Sequence, residues 1–337
     1  MAISNDLLSS TLYSIRDSEV DNLYKKVAFL DGVRRAGGVE TESGGIKIQR
    51  PLSIAEHSSI TQLSTGYEPV SLAVNDVLRP AIYDWADFTA PIVITKKEEM
   101  ENSGEYAIVK ILESRMKSVM GMLRRELNKQ ILRGDSTVLS AVNTLNGDSA
   151  GIGSATGFLE HLAPAPLPSG QSNVVGGISK ATFQVPGWLN QFKNAGGTLA
   201  MTDLYDLYIA ANNVAPSGDV SHLIMSNDAF AQYRNLLFAQ ERFVQTDKLD
   251  GGRMALAFNG AVAEADPEMG FASSVAGTCD GYMLNYDGIK LVFHSEGDFA
   301  VSPFEHISGT TARAAQLYVK VQLVADHLGG QGVLINA

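Results

Sequence analysis

A single cysteine, Cys279, in 337 residues leaves no partner for an intrachain disulfide and no thiolate cluster for a metal. A lone thiol is more often packing than chemistry. The six histidines (His57, His161, His222, His294, His306 and His327) lie far apart, and neither an HExxH pair nor an acidic calcium-binding loop occurs. Basic charge is in short supply: 26 Lys and Arg stand against 37 Asp and Glu, for a net charge of −11 and a pI near 5.0. Such a chain is not a general polyanion binder, although a local basic surface stays open. No uninterrupted apolar run approaches the roughly 18 residues of a membrane span. The opening MAISNDLLSS has no basic segment followed by an apolar core, as a secretory signal would. Together these absences predict a cytosolic product with no metal, no cofactor and no membrane partner.

What the chain does have is a 45 % apolar content, enough for a packed core in two domains or one large one, and a long helix. In GEYAIVKILESRMKSVMGMLRRELNKQILRGD, residues 104–135, apolar residues recur every three or four positions: Ile108, Leu112, Met116, Val119, Leu123, Leu127 and Ile131. Gly121 alone interrupts the run, Asn102 or Ser103 stands where an N-cap belongs, and Gly134 where a C-terminal cap belongs. Opposite the stripe, Lys110, Lys117 and Arg124 recur every seven residues with Arg125 beside them. Between 105 and 133, seven Lys or Arg outweigh three Glu, a local balance of +4 in an acidic chain. The pattern fits a solvated helix face, and it fits a face turned toward a polyanion.

Residues 4–36 read as an amphipathic helical arm that Gly37-Gly38 ends. Two alternating segments follow: GGIKIQRPL, with Ile46, Ile48 and Arg50, and YEPVSLAVNDVL, with Val70, Leu72 and Val74. Between them lies a Ser- and Thr-rich stretch, so the pair reads as a long hairpin with a loose tip. A two-stranded hairpin is marginal alone in water, and no adjacent third strand is at hand. A neighbouring subunit would cover it. After Asp135 a Gly- and Pro-rich crossing marks a domain boundary. Beyond it, TDLYDLYIAAN and SNDAFAQYRNLLFAQ read as capped helices, and Asn259-Gly260 and Asp287-Gly288 as tight hairpin turns. AAQLYVKVQLVADH reads as a last long strand. With no regular strand and helix alternation, the fold class is α+β.

One enzyme motif is present. GDSAG matches the nucleophile elbow G-x-S-x-G at Ser149, yet an elbow needs a buried strand before the serine and a helix after it. Neither flank qualifies, and Asp326 and His327, being adjacent on a strand, would point to opposite faces. The double glycine of VVGGISKATF lacks the rest of a phosphate-binding loop. A serine hydrolase is the alternative from another class, and the reading is that this protein is not an enzyme.

The order of elements, together with ADFTAPIVITKKEEMENSG before the long helix, ILRGD closing it, VGGISKATFQVPGW and QERFVQTDKLDGG, resembles the major capsid protein of tailed bacteriophages, the Hong Kong 97-type fold. The resemblance spans nearly the whole chain. It implies an N-terminal arm (1–37), an extension loop (38–80), a peripheral domain with a spine helix (81–140 and 289–337) and an axial domain (141–288). It also implies self-assembly of hexamers and pentamers into an icosahedral shell around double-stranded DNA, in a virion assembled in a host bacterial cytoplasm. Scaffold, portal and decoration proteins would be further partners. Ile46, Ile48, Arg50, Val70, Leu72 and Val74 would then make intersubunit contacts, and Lys110, Lys117, Arg124 and Arg125 would face the interior. An encapsulin, a cellular shell around cargo enzymes, shares the fold and is the alternative within it.

Overall fold

The computed structural model describes residues 27–53, 66, 77–101, 105–132, 174–179, 186–239, 247–248, 254–267 and 279–335. The arm before Val27, the caps Asn102 and Ser103, the segment with Val70, Leu72 and Val74, the crossing after Asp135 and Ser149 lie outside these residues. So do the side chains of Ile108, Lys110 and Leu112, whose backbone is helical.

Helix α1 (Ala28–Arg35) is followed by β1 (Val39–Glu42), β2 (Lys47–Ser53), β3 (Leu78–Asp84) and β4 (Ala86–Thr95). Then come α2 (Lys96–Glu101), α3 (Glu105–Leu132), β5 (Val174–Val175), β6 (Ile178–Ser179), β7 (Gln191–Asn194) and α4 (Met201–Val214). The rest are β8 (His222–Met225), α5 (Asn227–Ala239), β9 (Asp247–Lys248), β10 (Met254–Phe258), β11 (Ala261–Ala265), β12 (Cys279–Leu284), β13 (Ile289–His294), β14 (Ala300–Val301), β15 (Glu305–His306), β16 (Ala312–Ala325) and β17 (Gly332–Ile335).

Two sheets organise these elements. In the first, β16 is the long central strand: β4 runs antiparallel along one edge from Ala312 to Val321, and β13, β14 and β15 share the other. The period of two is clean, with Ala315, Leu317, Val319, Val321 and Leu323 all buried on one face. Phe88, Ile92 and Ile94 of β4 join them, and the stripe of α3 completes the same core: Met116, Met120, Leu123, Leu127 and Ile131 are all buried. The 28 residues of α3 make a rod of about 42 Å at roughly 1.5 Å per residue. Its last turn is fastened to the second sheet, where the Tyr282 hydroxyl donates to the Leu132 carbonyl at 3.1 Å and the Asn128 amide donates to Asp266 at 3.2 Å.

The second sheet runs β7-β17-β12-β8-β11-β10-β9. It shares a core with α4 and α5 built on Leu204, Leu207, Leu223, Met225, Tyr233 and Phe258. Helix α5 is capped as its sequence suggests, with Ala229 N–H donating to Ser226 Oγ at 3.2 Å. Helix α4 begins one residue before the expected Thr202, and the Asp203 carboxylate caps it from inside by accepting from Ala200 N–H at 3.1 Å.

Several expectations need correction. The last residues of the expected arm form α1, in which every residue from Ala28 to Val33 is buried. Its end is as expected: Gly37 takes φ 70° and Gly38 N–H returns to Val33 O at 2.8 Å. The segment 289–337 does not stay in one sheet, because β16 belongs to the first and β17 to the second. The two tight turns also differ. Asn259 and Gly260 take φ 46° and 89° and join the paired strands β10 and β11. Asp287-Gly288 joins no hairpin: β12 pairs with β8 and β17, β13 with β16 and β1, so this turn carries the chain from one sheet to the other. Gly288 is needed there for closeness and not for a left-handed backbone, since a Cβ would lie 2.6 Å from the His327 carbonyl oxygen.

Candidate functional site

The hairpin is present as a separate two-stranded sheet, but its return strand is β3, so the pairing runs from Lys47↔Asp84 to Ser53↔Leu78. Alternation divides it into two faces. Ile48, Ala81 and Tyr83 are buried in the chain's own core, which makes Ile48 an anchor of the base and not a free contact residue. Ile46 lies before the strand and is 92 % exposed. The outward face carries Lys47, Gln49, Pro51 and Ser53 with Leu78, Pro80 and Ile82; Leu78 is 66 % exposed.

The base is fastened from behind. The Tyr83 hydroxyl donates to the Ala325 carbonyl at 2.9 Å, and burial pushes its pKa well above the usual phenol value. The short β5-β6 hairpin, whose double glycine turns at φ 56° and 77°, leans on β3: Ile82 N–H donates to Gly176 O at 2.9 Å. A Cβ on Gly176 would meet Ala81 at 2.9 Å, so the glycine that fails as a phosphate cradle is a packing glycine. Arg50, expected at an intersubunit contact, turns instead toward its own chain. Its guanidinium pairs with Glu40, with Glu42 at 3.3 Å and with Asp326 at 3.8 Å.

On the spine helix the structure separates stripe from ribbon as the periodicity predicts. Lys117 and Arg125 are exposed and Arg124 is half-buried, with Ser118, Gly121 and Met122 open on the same side. Arg115 belongs elsewhere: its guanidinium donates to the Val93 carbonyl and pairs with Glu98, closing α2 onto β4.

Asp326 and His327 face different partners. Asp326 turns to Arg50, whereas His327 Nδ1 accepts from Gly330 N–H at 3.2 Å, an arrangement that makes no relay pair. Burial pushes the Asp326 carboxyl up, and it pushes the His327 imidazole down from 6.5 to about 4. The sign for His327 follows directly. Between pH 6.5 and about 4 the unfolded chain binds a proton there that the folded chain refuses, so its contribution to stability is complete above pH 6.5 and is lost as pH falls. With solvent reaching part of the ring, the loss should be about 1–2 kcal/mol. Melting His327→Gln and wild type at pH 7.5 and pH 4.5 isolates it: the wild type should lose more stability on acidification. Equal losses would place the proton elsewhere.

One buried polar cluster had no sequence signal. His222 Nε2 lies 2.7 Å from Glu264 Oε1 and Nδ1 meets the Tyr286 hydroxyl, with His222 and Glu264 almost wholly buried. Only the register of β8 beside β11 and the placement of β12 bring these residues together. Gly32 of α1 packs on the group so closely that a Cβ would lie 2.2 Å from the Tyr286 hydroxyl. The cluster is a buried joint, closed to a substrate. Among the described residues there is no group of three His, Cys, Asp or Glu that could hold a metal, and no helix is long and apolar enough to cross a membrane.

No protein-family model matches the chain, and no curated protein does. Solved structures do. The chain is similar to a protein of the Cyanophage A-1(L) capsid asymmetric unit, at 14 % identity, TM-score 0.57 and 86 % coverage of each chain. It is similar to a protein of Mycobacterium phage Bobi, at 13 % identity and TM-score 0.55 over 99 % of this chain and 94 % of that one. It is also similar to the holo-SrpI encapsulin complex of Synechococcus elongatus PCC 7942, at 12 % identity and TM-score 0.56 over 90 % and 87 %. With its spine helix, projecting two-stranded hairpin and second mixed sheet, the chain has the α+β Hong Kong 97-type capsid fold.

Proposed function

We infer that this protein is a major capsid protein that assembles with copies of itself into an icosahedral shell enclosing double-stranded phage DNA. The observation that carries the reading is the hairpin β2-β3: a sheet of two strands, anchored at its base, whose outward face with Leu78, Pro80 and Ile82 is uncovered in the isolated chain. Two strands need a third surface for stability, and in this fold another copy supplies it. The function needs no chemistry, only interfaces. Scaffold, portal and decoration proteins complete the proposed set of partners, and the proposed location is the virion, after assembly in the bacterial cytoplasm. Electron microscopy of the purified protein, with nuclease-protected DNA measured in the same particles, tests it. Closed shells holding DNA are expected, and a monodisperse small oligomer under all assembly conditions overturns it.

Similarity to an encapsulin favours one second reading, a cellular shell around cargo enzymes. The two part at the contents: protected DNA in one, co-purifying protein in the other.

The spine ribbon of Lys110, Lys117, Arg124 and Arg125 is proposed to face the shell interior and touch phosphates, or a scaffold before DNA enters. Phosphate contacts carry no sequence information and weaken steeply with salt. Replacing Lys110, Lys117 and Arg124 together with Gln keeps good helix formers, so folding and shell closure should survive. DNA retention at raised salt should fall about tenfold, given a loss of up to three phosphate contacts. Wild-type DNA content in the triple variant would make the ribbon a solvated face.

A further inference from the structure

We propose that Arg50 is a positioning residue that sets the direction in which the extension hairpin leaves the body, by clamping its base to the end of β16. The inference rests on the shell reading for its consequence and on geometry for its content.

The two strands of the hairpin are each fastened at neighbouring points. On β3, the Tyr83 hydroxyl donates to Ala325 O at 2.9 Å and accepts from Ala325 N–H at 3.3 Å. On β2, the Arg50 guanidinium reaches Asp326, the next residue along, at 3.8 Å, and Glu40 and Glu42 of β1. Glu40 and Glu42 alternate onto one side of β1, which is itself the edge strand of the six-stranded sheet, fixed by parallel pairing to β13. Three carboxylates therefore converge on a single guanidinium from two elements of the body, and only Arg50 belongs to the hairpin.

A planar guanidinium with five donors in a fixed fork suits this task, and an ammonium does not. Here Nη2 faces both Glu40 and Glu42, while Nε faces Asp326 at 3.8 Å as an ion pair without a hydrogen bond, so the same group is held from two directions. The other anchors of the base lie on β3 or in the core: Tyr83 on Ala325, Gln322 Nε2 donating to Asp84 O, Ile82 N–H on Gly176 O, and Ile48 and Ala81 packed inward. With Arg50 added, the second strand is tied as well, and the roll of the sheet is set. Removing the guanidinium leaves Glu40, Glu42 and Asp326 without their shared cation, and β2 loses its tie to β1 and to the end of β16. A small tilt at Arg50 becomes a larger displacement at Ser53 and Leu78, the far end of the paired ladder, where the uncovered face would meet the next copy.

The test uses the full chain and two readouts. Amide hydrogen exchange is compared for wild type, Arg50→Lys and a neutralised set in which Arg50, Glu40 and Glu42 all become Gln. The expected result is at least tenfold faster exchange across the β2-β3 ladder in both variants, with the β4-β16 ladder unchanged. Faster exchange in both ladders would mean a general loss of stability, and no change in either would mean no clamp; both results overturn the proposal. Electron microscopy of the same proteins should show closed shells at least tenfold fewer for Arg50→Lys than for wild type. Closed shells at wild-type yield would overturn the positioning role. If the wild type itself forms no shell, it is the shell reading that fails, while the exchange data still decide whether the clamp exists.

Discussion

Leu123→Glu should abolish folding of the subunit instead of weakening its assembly. Leu123 sits at the middle of α3 at 7 % exposure, between the buried Met120 and Leu127, and the helix lies in one core with Phe88, Ile92 and Ile94 of β4. A carboxylate placed there would sit among apolar side chains, with Lys117 and Arg125 on the exposed side of the helix. It must either ionise in an apolar setting or take up a proton at a cost, and the lost leucine packing adds to that. The sum is about 4 kcal/mol or more. Against a typical total of about 5–15 kcal/mol, a loss of this size at the element that joins both sheets should leave insoluble protein, or a soluble chain without a cooperative melt. Circular dichroism and thermal melting check it. A folded Leu123→Glu subunit, with a melting temperature within a few degrees of wild type, would show that this face of the spine is open to water.

The spine helix was legible because its signal is local and repeated: each apolar residue testifies to the same stripe, and Lys117 and Arg125 fall on the exposed side as the period requires. The strand β16 was legible for the same reason. The Asn259-Gly260 hairpin was readable because both residues must adopt a left-handed backbone, a demand written into residue type. Asp287-Gly288 carries the same dipeptide signal and means something else. Its strands part company because β12 is claimed by β8 and β17 and β13 by β16, a competition between non-local partners that no short window contains. The burial of α1 was hidden similarly, since an amphipathic pattern cannot tell an arm from a helix wedged between layers. Arg50 shows the limit most clearly. On the strand pattern it is one polar residue among others; its role comes from Glu40, Glu42 and Asp326, which tertiary structure alone brings to it. The buried His222, Glu264 and Tyr286 are alike in this.

Deleting Ser53 to Gly66 should leave a folded, soluble subunit that does not close shells. Among the described residues the anchors of the hairpin lie on the near side of the cut: Ile48, Ala81 and Tyr83 in the core, Arg50 on its carboxylates and Ile82 on Gly176 remain. The pairing from Lys47↔Asp84 to Leu52↔Arg79 is kept, and residues 67–77 are ample to rejoin two strands that lie side by side. Shortening a loop changes its closure entropy only by tenths of a kcal/mol to about 1 kcal/mol, so the melting temperature should move by no more than a few degrees. Assembly is another matter. The deletion removes Ser53, the far end of the β2-β3 ladder, and the chain that follows it up to Gly66, which the shell reading assigns to contact with another copy. Each shell contact of this kind repeats in every subunit, and losing it from all of them should cut the yield of closed particles by orders of magnitude even if one contact is worth only about 2–3 kcal/mol. Negative-stain microscopy and sedimentation of the deleted protein measure this. Closed shells of normal size and yield would show that residues 53–66 make no contact that assembly needs.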